Sequence, residues 1–90
     1  MITKNSDEDI FTITLLKTLN DLYDKINNLK ETIKGLHKND KRSILHYSTI
    51  MECEDRIKKI VDDIGIDNLL DITKKANDIT LLSNLEHFKQ

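Results

Sequence analysis

The sequence predicts an all-α protein, an elongated antiparallel helical hairpin or three-helix bundle with coiled-coil-like packing. Three observations carry this. Ile and Leu supply 25 of the 90 residues, while there is no Pro, no Trp and only two Gly, so the chain has apolar mass but few turn formers. Apolar residues recur at helical spacing over long stretches. The places where that spacing fails are short, which favours antiparallel neighbours.

Helix 1 is expected over residues 7–36. Ser6 can cap it, and Asp7, Glu8 and Asp9 oppose the positive end of its dipole. From Leu15 the apolar residues run Leu15, Leu19, Leu22, Ile26, Leu29, Ile33 and Leu36, in alternating steps of 4 and 3. This is a heptad stripe with Leu at d and Leu19, Ile26 and Ile33 at a. About 28 residues at about 1.5 Å rise make this helix roughly 40 Å long. A compact chain of this size has a radius of gyration of about 12 Å, so helix 1 should project beyond a simple ball.

Helix 2 is expected over 40–64, with Asn39-Asp40 offering its cap. Its inward stripe reads His46/Tyr47, Ile50, Cys53, Ile57, Ile60/Val61 and Ile64. Glu52–Arg56, Glu54–Lys58 and Asp55–Lys59 place each acid four residues before a base, the favourable orientation on a helix. Gly65 should end the helix in a Schellman motif, with Ile66 touching Val61. Helix 1 should end near Gly35, where a left-handed backbone is cheap, or a turn later at His37 to Asn39.

Helix 3 is expected over 67–88, capped by Asp67, along the stripe Leu69, Ile72, Ala76, Ile79, Leu82, Leu85 and Phe88. The phase drifts at Asn77-Asp78, which predicts a kink or break near 77–79.

A chain of 90 residues is marginal as a domain on its own, so association with other chains is a reasonable supplement. The heptad stripe offers a seam: Leu15, Leu19, Leu22, Ile26, Leu29 and Ile33, widened by Phe11, Leu16 and Tyr23. That face is broader than a two-stranded zipper needs, and it suits a three- or four-helix bundle. Lys25 at g would also meet Lys30 at e of a parallel copy, which is repulsive. Internal packing against helices 2 and 3 is the competing use of the same stripe. Ile10, Phe11 and Ile13 point in different directions from one turn, and Phe11 is the natural anchor for docking.

Lys34, Lys38, Lys41 and Arg42 gather at the helix 1–2 corner, a candidate contact for an anion or an acidic partner. Lys34 and Lys38 also complement the dipole at the end of helix 1, a purely structural role. The charge balance, 14 bases against 16 acids for a net −2, argues against a nucleic-acid or anionic-membrane coat. The Gly65 junction is a poor helix-turn-helix, because the exposed face after it carries Asp67, Asn68 and Asp71. No apolar run is long enough to span a membrane, and the first residues lack the basic-then-apolar pattern of a signal peptide.

No enzymatic constellation stands out. The single Cys53 excludes an internal disulfide and suits an intracellular setting, cytoplasm or nucleus. Cys53 with His46 gives two ligands where a zinc site needs four. Asp62-Asp63 lacks an EF-hand frame, and neither a phosphate-binding glycine loop nor a nucleophile elbow is present. No cofactor is therefore expected. The sequence reads as a non-enzymatic interaction subunit or adaptor with helical protein partners, in a homo- or hetero-oligomer. The alternative is a small regulator that binds an enzyme or a nucleic-acid machine through the basic corner.

Overall fold

The computed structural model describes residues 5–89, and side chains for residues 10–89. Four helices follow in order: α1 (Asn5–Lys34), α2 (Arg42–Ile64), α3 (Ile66–Lys75) and α4 (Ile79–Glu86), with a last 3₁₀ turn at His87–Lys89. The class is all-α, and α1 and α2 form a long hairpin. The short helices α3 and α4 lie against one end of it. The molecule measures 58 × 30 × 21 Å with a radius of gyration of 15.9 Å, well above that of a ball of this length. The Ser6 cap and the acids at 7–9 lie outside the residues whose side chains are described.

Each boundary has a local cause. α1 stops at Lys34, two residues short of the expected end. Gly35 is not left-handed; the helix closes by tightening, with Gly35 N–H donating to Thr32 O (3.1 Å) and Leu36 N–H to Ile33 O (3.0 Å). Leu36, the last residue of the heptad stripe, therefore lies beyond the helix. α2 starts at Arg42 rather than at residue 40. Asp40 does the capping from two residues back: its Oδ1 accepts the Arg42 N–H (2.9 Å), and its Oδ2 accepts from the Arg42 guanidinium (2.7 Å).

Gly65 ends α2 and starts α3 at once. Its N–H donates to Val61 O (2.8 Å) and its carbonyl accepts from Leu69 N–H (2.9 Å). Its backbone, φ 90° and ψ 131°, lies outside the αL region, so this is not the expected Schellman turn. Asp67 falls inside the first turn of α3 and is not its cap. The Schellman motif is instead at the break after α3. Asn77 is left-handed (φ 57°), its N–H donates to Lys74 O (3.0 Å), and Asp78 N–H donates to Thr73 O (3.3 Å). Asn is the non-glycine residue that best tolerates this conformation. The phase drift at 77–78 is thus a true break between two helices.

Asp78 then serves twice. Its Oδ1 accepts from Leu81 N–H (3.0 Å), capping α4, and its Oδ2 accepts from Asn20 Nδ2 (2.8 Å), tying α4 to α1. Tyr23 adds a longer bond from its hydroxyl to Asn84 O (3.3 Å).

The core draws on all four helices: Leu15, Leu16, Leu19 and Ile26 of α1; Ile50, Cys53, Ile57 and Val61 of α2; Leu69 and Leu70 of α3; Leu81 and Leu85 of α4. Its fully buried centre is Leu19, Ile57, Leu69, Leu81, Leu85 and Thr73. The Thr73 hydroxyl is satisfied by Leu69 O at 2.7 Å. Toward the α1–α2 corner no third helix among the described residues covers the hairpin, and Leu29 and Ile33 are only half-buried. Leu19→Ala should cost about 2–5 kcal/mol in urea unfolding, because it empties the centre of the core. Met51→Ala, on the outer face of α2, should leave the stability of the monomer within about 0.5 kcal/mol of the wild type, as urea unfolding at low protein concentration checks.

Candidate interaction surface

The heptad stripe of α1 is largely taken up within the chain. Leu15, Leu19 and Ile26 are buried among this chain's own helices, and Leu22, Tyr23, Leu29 and Ile33 pack half-buried against the same core. Leu16, expected to widen an external face, is buried as well. Of the expected seam and anchor residues only Phe11 is well exposed, at 58%, and it stands beside the exposed Ile10 and Ile13.

A second apolar surface lies on α2, and the inward stripe expected for this helix includes one of its residues. Tyr47 is expected to face inward beside His46; it is 56% exposed, and half-buried His46 takes the inward position. One residue is about 100° of helix rotation, and Ile50, Cys53 and Ile57 set the inward direction of α2 on the side of His46, which turns Tyr47 away from it. Ile44, Tyr47 and Met51 follow at steps of 3 and 4, which puts them on one stripe. Ile44 is 70% exposed and Met51 63%. Leu45 is also exposed but lies on another flank of α2, and Ile79 is exposed at the start of α4. The 3–4 spacing is present in the sequence; it is masked by the stronger stripe one residue over.

The same stripe of α2 continues as Glu54 and Lys58, seven residues after Tyr47 and Met51. There it borders an open cavity of about 480 Å³, between α1, α2 and the final turn, lined by Tyr23, Asn27, Lys30, Ile57 and Phe88 among others. The stripe is therefore charged beside the third layer and apolar beyond its reach. Burial, and secondarily the Glu54 carboxylate, raises the Tyr23 hydroxyl above its usual pKa of 10.0. Among the described residues no group of His, Cys, Asp and Glu is arranged to hold a metal ion. Cys53 is buried in the core face of α2.

The basic corner is partly neutralised. Lys34 pairs with Glu31 (3.5 Å) and Arg42 with Asp40 (2.7 Å). Lys38 and Lys41 are exposed and make no ion pair among the described residues. No described helix is long and apolar enough to cross a membrane. No family model matches the chain, and no curated protein and no solved structure matches it either.

Hydrogen bonds from the Arg42 side chain and backbone hold the Asp40 carboxyl down to about 2, below its usual 3.8. A carboxyl held low in the folded state stabilises above its ordinary pKa and loses that contribution as pH falls toward the lower value. The melting temperature of the wild type should therefore fall more steeply between about pH 4 and pH 2 than that of Asp40→Asn, as followed by circular dichroism.

Proposed function

We propose that the protein is a non-enzymatic interaction subunit or adaptor, which assembles with other helical chains through the apolar side chains its own bundle leaves uncovered. The observation that supports this is the exposed stripe of Ile44, Tyr47 and Met51 on α2. Three large apolar side chains aligned on one helix face are a typical anchor set for a second helix, whereas scattered exposed apolar residues need no explanation. Phe11, with Ile10 and Ile13, supplies a second anchor at the start of α1. Apolar burial across helix faces gives the affinity, and the charged flanks select partner and orientation. The expected α1 seam contributes by shaping the bundle rather than by meeting the partner.

The basic corner belongs to the rim of this surface. Lys38 and Lys41, which make no ion pair among the described residues, adjoin the start of the α2 stripe, and two cations are too few for tight nucleic-acid binding at physiological salt. A lone buried thiol suits an intracellular setting.

Capture of partners on tagged protein, washed at low and high salt, tests this reading. Binding should survive high salt and be lost with Tyr47→Lys or Phe11→Lys, with far-UV circular dichroism unchanged. Binding that is lost in high salt and with Lys38→Ala/Lys41→Ala, but kept in the apolar variants, would assign recognition to the corner instead.

A further inference from the structure

Resting on that reading, we infer that the occupant of the α2 stripe is the α2 stripe of a second copy of this chain, running antiparallel. The charges that flank the stripe carry this. At its start stands Lys41, at the N-cap of α2, where the positive end of the helix dipole disfavours a base. The nearest acid, Asp40, is already engaged by Arg42. At its far end stand Glu54 and Asp55, adjacent and both exposed. None of Lys41, Glu54 and Asp55 makes an ion pair among the described residues.

One register satisfies the apolar and the charged groups together. With a two-fold axis beside Tyr47 and Ser48, Ile44 of one copy lies over Met51 of the other, and Tyr47 packs against Tyr47 and Ser48. The same register brings Lys41 over Asp55 of the second copy, with Glu54 at the same level on the other flank. In an antiparallel helix pair, flanking residues on the same side of the two stripes face each other. Lys41 and Asp55 fall on the same side of the line through Ile44 and Met51. The symmetry makes the contact twice, as an isologous interface requires. A parallel pair would set Lys41 on Lys41 and the acids on the acids, so charge selects the antiparallel arrangement. The register also brings the second copy's corner beside the cavity bordered by Glu54 and Lys58. Cys53 faces the core, so the contact needs no disulfide.

Sedimentation equilibrium of the full chain tests the inference with two charge variants, Lys41→Glu and Glu54→Lys/Asp55→Lys. All three positions are exposed, so both variants should fold, which circular dichroism checks. The wild type should dimerise. Each variant alone should dimerise about tenfold more weakly. An equimolar mixture of the two should recover the wild-type affinity. In the mixed dimer the introduced glutamate of one chain meets the lysine at position 55 of the other with a second lysine at position 54 nearby, and the unaltered Lys41 meets unaltered Asp55 with Glu54 nearby. Met51→Glu should weaken the dimer by about a hundredfold. A wild type that remains monomeric up to about 1 mM overturns the inference. If that monomer still captures a partner in a Met51-dependent, salt-resistant way, the interaction-surface reading survives; if it does not, both fall. A dimer that is indifferent to Met51→Glu, or in which Lys41→Glu is no weaker than the wild type, also overturns it.

Discussion

The fold depends on the burial of one apolar stripe of α1, centred on Leu19, by helices of very unequal length. α1 has 30 residues and should be about 45 Å long. α3 and α4 have 10 and 8 residues, or about 15 Å and 12 Å. A third layer of that size covers one half of the hairpin and stops. Around Leu19, Ile57, Leu69, Leu81 and Leu85 the packing is complete. Toward the corner only two helices remain, and neither can cover the outer face of the other.

The third layer is held in place by polar chemistry at its own break. Asn77 turns the chain through a left-handed residue, and Asp78 both caps α4 and reaches Asn20 of α1. Leu81 and Leu85 are thereby aimed into the core rather than along the path an unbroken helix would take. The apolar half of the α2 stripe follows from where this layer ends. The stripe is charged at Glu54 and Lys58, where the final turn lies close, and apolar at Ile44, Tyr47 and Met51, which no other described residue covers.

Much of this is legible in the residues, for physical reasons. The alternating steps from Leu15 to Ile33 can only place those side chains on one side of a helix, and that side is the one packed against the core. The break at Asn77-Asp78 shows as a phase drift, because the apolar stripe cannot stay on one face through it. The turn types are less legible. Gly65 and Asn77 can both take a positive φ, and which one forms the Schellman motif depends on how soon the next helix begins. At Gly65 it begins at the next residue. A helix start is hard to place where a carboxylate caps from two residues back, as Asp40 does with Arg42. The outward stripe of α2 is hidden because its Tyr47 sits next to inward His46, and neighbouring residues on a helix compete for the same apparent periodicity. Whether the α1 stripe meets this chain or another cannot be told from periodicity alone, since both uses demand the same spacing.

In the folded chain the α1 stripe is packed internally, while the outer stripe of α2 and the Phe11 end of α1 stay exposed. Native-state hydrogen exchange in the Met51→Glu variant, with the outer stripe disabled, tests this most directly. The backbone amides of Leu19, Leu22 and Ile26 should exchange only through unfolding of the whole domain, with protection independent of protein concentration. Protection at these amides that appears only as the concentration rises would mean that another chain buries the stripe, and would contradict the account.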